Sequence, residues 1–114
     1  MLQNQDVSQL SLAEWRRLLE KSLLHARRFE LHCWSDETPW LRLALEYGVP
    51  KPAEWEGGTV VEGPVTESFR RMLLSLDRPR DRDVYNKFTP FFSIALDGES
   101  FFEHYGTEVT LSLS

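Results

Sequence analysis

The chain has 114 residues, of which 41% are apolar and 12% aromatic, and this is enough to build the core of one domain, residues 1–114. Its single cysteine excludes an internal disulfide, and its net charge of −5 disfavours nucleic acid and anionic membranes, which both require clustered Lys and Arg. Because the sequence has no leader-like start and no apolar run of bilayer length, we expect a soluble, cytoplasmic protein without membrane contact.

The first predicted element is a helix that begins after Ser11. In SLAE, the Ser11 hydroxyl can accept from the backbone of the third helical residue while Glu14 reaches back to the cap. Apolar residues then repeat at the spacing of one helical face, and basic residues near Arg27 suit the negative end of the helix dipole. The helix is therefore expected to end near residue 27 or 28.

The next stretch, ELHCWSDE (residues 30–37), combines a thiol, an imidazole and carboxylates, which are the ingredients of a catalytic or metal site. Residues 29–34 alternate between apolar and polar, with the period of a half-buried strand. Neighbouring strand residues point to opposite faces, so His32 and Cys33 cannot act together as base and nucleophile within it. We expect Cys33 to be buried and structural, and His32 to be solvated.

A second helix is predicted after SDETP, where Asp36 and Glu37 have the chemistry of caps or of acidic residues at the positive helix end. Its expected core face consists of Trp40, Leu43, Ala44 and Tyr47. A loop, VPKPAEWEGG, is expected to follow the helix and to run to Thr59. Trp55 lies in this loop between Glu54 and Glu56. Its side chain either packs on the core or is exposed to bind a partner.

A short strand, residues 59–62, and a third helix capped by Thr66 come next. The run DRPRDRD, residues 77–83, contains three Arg and three Asp, and it is therefore nearly neutral. We expect it to be a solvated loop rather than a phosphate-binding site.

The last quarter of the chain predicts a meander of two or three strands. Phe92, Ile94 and Leu96 alternate with smaller residues, and Asp97-Gly98 is a strong hairpin signal. The aromatic residues of this region exceed what one sheet face must bury, so one of the pair Phe101-Phe102 should point to the other face. We expect helices to cover one face and the loop of residues 77–90 the other. The alternative is that some of these rings belong to an interface, since exposed aromatic residues surrounded by acidic ones suit a protein-docking surface.

This order of helices and strands is typical of an α+β domain, with a mainly antiparallel sheet and about three helices packed on one face. The sequence contains no glycine-rich phosphate loop, no nucleophile elbow and no His pair at the spacing of a metal clamp. We therefore expect no enzyme, no cofactor and no metal. A small enzyme that uses Cys33 remains an alternative.

Charge is distributed unevenly along the chain. Residues 35–68 hold seven acidic and two basic groups, and residues 88–114 hold four acidic groups and no Lys or Arg. A small, acidic α+β domain of this kind resembles the bacterial immunity proteins that neutralise polymorphic or contact-dependent toxins. The resemblance implies a protein partner, such as a basic nuclease toxin, that is bound through an acidic surface. The expected partner-binding residues are Asp36, Glu37, Glu54, Trp55, Glu56, Glu99, Glu103, Tyr105 and Glu108.

The second alternative is a homo-oligomeric scaffold domain. The final segment, TEVTLSLS (residues 107–114), alternates regularly. If this C-terminal strand lies at a sheet edge, it would pair across a two-fold axis to form a homodimer.

Overall fold

The computed structural model describes residues 2–79 and 87–112. Within them the chain forms three helices, α1 (Leu12–His25), α2 (Thr38–Leu45) and α3 (Glu67–Ser75). The strands are β1 (Leu2–Asp6), β2 (Arg28–Trp34), β3 (Val49–Lys51), β4 (Gly58–Pro64), β5 (Ser93–Leu96), β6 (Ser100–Glu103) and β7 (Glu108–Ser112). The fold is thus α+β, as the sequence predicts. None of these helices has the length and apolar character needed to cross a bilayer.

The strands form one antiparallel sheet in the order β1-β7-β6-β5-β2-β4-β3. Two strands, β1 and β3, were not predicted from the sequence, and β3 occupies part of the expected loop 49–58. The C-terminal strand is not at an edge, because β7 pairs with β6 on one side and with β1 on the other. The position at a sheet edge that the predicted homodimer requires of this strand is therefore not found, since the backbone groups that it would use are already paired within the chain.

The three helices contribute to one core on one face of the sheet. Trp15, Leu19 and Leu23 of α1 are buried there, as are Phe69 and Leu73 of α3 and Ala44 of α2. The sheet contributes Phe29, Leu31, Cys33, Val61, Ile94, Leu96, Phe102 and Val109. We call this side of the sheet the helix face and the opposite side the outer face.

The helix starts agree in part with their predicted caps. Ser11 and Glu14 form the predicted capping box of α1, and the Thr66 hydroxyl accepts from the backbone N–H of Phe69 at the start of α3. Helix α1 ends at His25, two or three residues earlier than predicted. Helix α2 differs more, because its N-cap residue Glu37 makes no side-chain capping hydrogen bond.

The predicted core face of α2 is also only partly correct. Ala44 is fully buried and Tyr47 contacts the Phe69 ring edge to face, but Trp40 is 36% exposed. Trp40 lies in the first turn of this 8-residue helix, whereas the buried Ala44 lies in its second turn.

The predicted loop of residues 77–90 lies partly outside the described residues, which omit 80–86. Its described C-terminal end packs on the helix face and not on the outer face, because Phe88 stacks on Trp15 at 5.3 Å between ring centroids. The expectation that this segment covers the outer face is therefore wrong for the part that the structure describes.

Candidate functional site

The outer face is organised by the strand register, which aligns residues of all seven strands into rows. Cross-strand partners point to the same side of a sheet. One row reads Asp6, Glu108, Glu103, Ser93, His32, Val60 and Lys51 from β1 to β3. The neighbouring row reads Asn4, Thr110, Phe101, Ala95, Glu30, Glu62 and Val49.

These rows create a groove along β5. The outer-face residues of β5 are the small Ser93 and Ala95, while the flanking strands β6 and β2 carry larger side chains, among them Phe101 and His32. Because these larger side chains cover β5 from both sides, Ser93 is only 8% and Ala95 only 6% exposed. The groove has a volume of about 420 Å³ and continues past Ala95 into a second depression of about 320 Å³ near Gly98.

Aromatic rings form one end of the groove. Trp55 from the β3–β4 loop lies 4.7 Å from Trp34 and 5.9 Å from Phe92, measured between ring centroids, and the Trp55 and Phe92 planes differ by only 21°. His32 and His104 also contact this group, at 5.7 Å from Trp55 and 5.6 Å from Phe92. The aromatic cluster, defined as these five residues, lies on the opposite side of the sheet from the main core.

Trp55 is held in place by a glycine. A Cβ atom added to Gly58 would lie 2.2 to 2.3 Å from three atoms of the Trp55 ring system. The indole therefore rests directly on the backbone at the start of β4. Trp55 is half-buried, so one part of the ring packs on the sheet while the rest lines the groove.

Ion pairs neutralise some of the outer-face carboxylates. Glu30 Oε2 accepts a hydrogen bond of 2.6 Å from Lys51 Nζ, and this bond is the main reason why the pKa of Glu30 is lowered and that of Lys51 raised. Glu62 pairs with Arg28 at 3.1 Å. These contacts leave the β2–β4 side of the groove close to neutral.

The β6 side of the groove differs, because Glu103 has no hydrogen-bond or ion-pair partner among the described residues. Glu103 is half-buried and lies directly opposite Glu108, which in turn lies opposite Asp6. Glu108 is 3.1 Å from His104 Nε2, and the pKa of Asp6 is lowered by hydrogen bonds from Ser8. Like charges directly opposite each other are destabilising, and His104 contacts Glu108 rather than Glu103, so Glu103 carries a negative charge that no described side chain pairs with.

The structure brings most of the predicted partner-binding residues to one end of the sheet. The turn with Asp36 and Glu37 lies beside the loop with Glu54, Trp55 and Glu56, because Ser35 N–H donates a 2.9 Å hydrogen bond to the Gly57 carbonyl oxygen. Among the described residues, the side chains of Asp36, Glu54 and Glu56 have no ion-pair partner.

The four other predicted residues occupy different environments. Glu103 and Glu108 lie on the outer face, next to the aromatic cluster. Tyr105 is only 7% exposed, and its hydroxyl donates to Glu37 Oε1 at 3.1 Å, so its ring is not presented to solvent. Glu99 lies apart from all of these, at the β5–β6 hairpin, which is the opposite end of the sheet from Asp36.

Sequence reasoning missed Trp34, Phe92 and His104 as members of this surface. Phe92 was expected on the same side as Ile94, but β5 begins only at Ser93, and the Phe92 ring turns to the outer face. The signal in the sequence was Trp34, because a tryptophan at a polar position of the alternating pattern in β2 indicates that an aromatic ring lies on the outer face.

Cys33 occupies the environment that the alternation predicts. It is 1% exposed on the helix face, and burial, with a smaller contribution from the charge of Glu37, raises the pKa of its thiol to about 12. His32 is half-buried on the other face rather than fully solvated. In the described parts of the chain, no group of three or more His, Cys, Asp or Glu residues is arranged to hold a metal ion.

The site thus consists of a groove on the outer face, an aromatic cluster at one end and nearby carboxylates that pair with no side chain in residues 2–79 and 87–112. Comparisons of the chain with protein-family models, with curated proteins and with solved structures gave no significant match.

Proposed function

We propose that this chain is a non-enzymatic protein-binding module, an immunity protein that binds and neutralises a cognate toxin through its outer face. The observation that carries the proposal is the aromatic cluster on a sheet face that none of the described helices covers, surrounded by carboxylates without a partner among the described residues. Aromatic residues are enriched in the centres of protein interfaces, and polar residues form the rim.

The geometry of Trp55 supports a binding role. An indole that only fills space would be expected in the main core, whereas Trp55 lies over Gly58 on the outer face and lines an open groove. Tryptophan supplies a large rigid contact area, and it is among the residues that most often dominate binding energy. Trp55 is therefore the proposed centre of the interface.

The charge around the cluster supports a basic partner. Asp36, Glu54, Glu56 and Glu103 are close to the aromatic cluster in the fold, and none is neutralised by a described side chain. Such a surface accelerates the encounter with a positively charged protein. A nuclease toxin has a basic cleft for phosphate, so an acidic inhibitor could occupy that cleft.

The direct test uses the product of the gene that lies beside this one in its genome. We expect that product to arrest growth when expressed alone, and co-expression of this chain to restore growth. A variant with Glu54→Lys, Glu56→Lys and Glu103→Lys should bind the purified toxin with a much slower association rate, measured by stopped-flow fluorescence at low salt.

The matched control is Glu99→Lys, which changes the same kind of charge at the other end of the sheet. Its association rate should stay close to that of the wild type. A neighbouring product that is not toxic, or that binds the triple variant and the wild type at the same rate, would contradict the proposed function.

The homo-oligomeric alternative now depends on β1 or β3, the edge strands of the sheet. Strand β3 has only three residues and contains Pro50 and Lys51, which are features that discourage pairing with a second chain. Sedimentation velocity at several concentrations separates the two hypotheses, because an immunity protein can act as a monomer and a scaffold of this kind cannot.

A further inference from the structure

We propose that the groove along β5 binds a guanidinium group, and that the partner inserts an arginine side chain between the aromatic cluster and Glu103. This inference rests on the proposed function, since it names the chemistry that the outer face recognises. It is carried by the shape of the groove, by the unpaired charge on one wall and by a hydroxyl on the floor.

The shape of the groove suits a long, flat side chain. Its floor consists of the small residues Ser93 and Ala95, and the rings of Trp55, Phe92 and Phe101 line it. The planes of Trp55 and Phe92 are inclined by only 21°, so they present similarly oriented faces. A guanidinium group is planar and stacks on aromatic rings, and the arginine stem covers apolar surface.

The charge of the groove selects a cation. Glu30 on the β2 side already has a partner in Lys51, at 2.6 Å. Glu103 on the β6 side has none among the described residues, and it stands opposite Glu108. A bound cation would relieve this repulsion, whereas an anionic group would add to it.

Hydrogen-bond geometry favours arginine over lysine. Ser93 lies directly opposite Glu103 across β5 and β6, and its hydroxyl makes no hydrogen bond to a described residue. The Glu103 carboxylate and the Ser93 hydroxyl are therefore neighbouring acceptors at the same point of the groove. A guanidinium group has five donors in one plane and can bond to both, while an ammonium is a compact and more strongly hydrated charge.

The experiment uses the isolated full chain and a small probe, Nα-acetyl-arginine amide. Titration is followed in ¹H–¹⁵N spectra through the indole signal of Trp55 and the amide signals of Ser93 and Glu103. We expect saturable shifts at millimolar probe. The citrulline analogue, which has the same shape without the charge, should give none, and the lysine analogue should bind about three- to fivefold more weakly.

Two variants locate the charge that matters. Glu103→Gln should weaken binding of the arginine probe about fivefold, whereas Glu99→Gln, on the β5–β6 hairpin turn, should leave it unchanged. The dispersion of the amide spectrum shows in each case that the variant is folded. Equal effects of the two variants would mean general attraction to an acidic protein and would overturn the inference.

Other outcomes also decide the question. The inference is overturned if the arginine probe gives no saturable shift, if citrulline gives the same shifts, or if simple dilution of the protein produces them, since the last result means that a second copy occupies the groove. If the arginine probe does not bind but the chain still neutralises the toxin, this inference fails and the proposed function stands. Arginine binding without any toxin partner would instead overturn the proposed function and retain the groove.

Discussion

The Tyr105 hydroxyl donates a hydrogen bond of 3.1 Å to Glu37 Oε1, and this contact ties the β6–β7 connection to the turn before α2. It joins the two acidic regions of the sequence, which are 68 residues apart at this point. The same Tyr105 ring lies 5.3 Å from Phe92 and 4.1 Å from Lys87 Nζ. One buried side chain thus holds the acidic turn against the aromatic cluster.

The first prediction concerns this bond. Tyr105→Phe should lower the free energy of unfolding by about 1–2 kcal/mol, because a part-buried hydrogen bond to a carboxylate is lost while the ring remains. Urea unfolding at neutral pH measures the change. In a double-mutant cycle, Tyr105→Phe should cost clearly less in a Glu37→Ala background, and fully additive costs would show that the two residues are not coupled.

The second prediction concerns the packing of the Trp55 indole on Gly58. Gly58→Ala should destabilise the fold by about 1–3 kcal/mol, because the added methyl group would overlap the indole and force it off the sheet. The backbone at Gly58 does not require glycine, so the cost should come from the ring alone. Urea unfolding should therefore show little cost of Gly58→Ala in a Trp55→Ala background.

Gly98 provides the contrast for that measurement. Gly98 has a left-handed φ of +66°, and a Cβ atom added to it would meet no other atom within 4 Å. Gly98→Ala should therefore lower the free energy of unfolding by about 1 kcal/mol through backbone strain alone. This cost should be the same with and without Trp55. If Gly58→Ala behaves like Gly98→Ala in both backgrounds, Trp55 does not rest on Gly58.

Local chemistry explains which elements the sequence could predict. The capping box of Ser11 and Glu14 and the Asp97-Gly98 hairpin are signals contained in a few adjacent residues, and both are present in the structure. Strand β1 has the polar sequence LQNQD, and β3 contains a proline, so neither shows the alternation of a buried strand. Both exist because a neighbouring strand supplies hydrogen bonds along its edge, which no local pattern records.

The candidate site was predictable only in part for the same reason. The expected binding residues Asp36, Glu54 and Trp55 do come together, but only because β2 and β4 are neighbours in the sheet. The groove itself depends on register, which places small Ser93 and Ala95 between larger residues of β2 and β6. Strand order and register are set by long-range contacts, so the sequence alone could not place Glu99 at the far end of the sheet.

The third prediction is a pH dependence at the Glu30–Lys51 pair. The pKa of Glu30 is lowered in the folded state, chiefly by the hydrogen bond from Lys51, so its contribution is present above its ordinary value of 4.5 and is lost as the pH falls through the folded value. The pKa of Lys51 is raised, so its contribution is present below 10.5 and is lost as the pH rises through the folded value. The difference in free energy of unfolding between the wild type and the Lys51→Met variant should therefore be constant near neutral pH and should shrink below about pH 4.5.

Urea unfolding at pH 7, 5 and 3 measures this difference. It should be small because both side chains are more than a third exposed, at 41% for Lys51 and 35% for Glu30. Arg71→Met is the control, since the Arg71–Glu67 pair on α3 is 74% and 75% exposed and should contribute still less. An advantage of the wild type that grows as the pH falls would be inconsistent with the ion pair.

The last prediction decides whether Cys33 is available for chemistry. Burial and the nearby Glu37 charge raise the pKa of its thiol to about 12, so very little thiolate is present at pH 8, and the residue is only 1% exposed. Alkylation of the native protein should therefore proceed only through transient opening. Its rate should rise steeply with added urea and reach that of an ordinary free thiol when the chain is unfolded. Fast modification of the native protein at pH 7, independent of urea, would instead support the alternative of a small enzyme that uses Cys33.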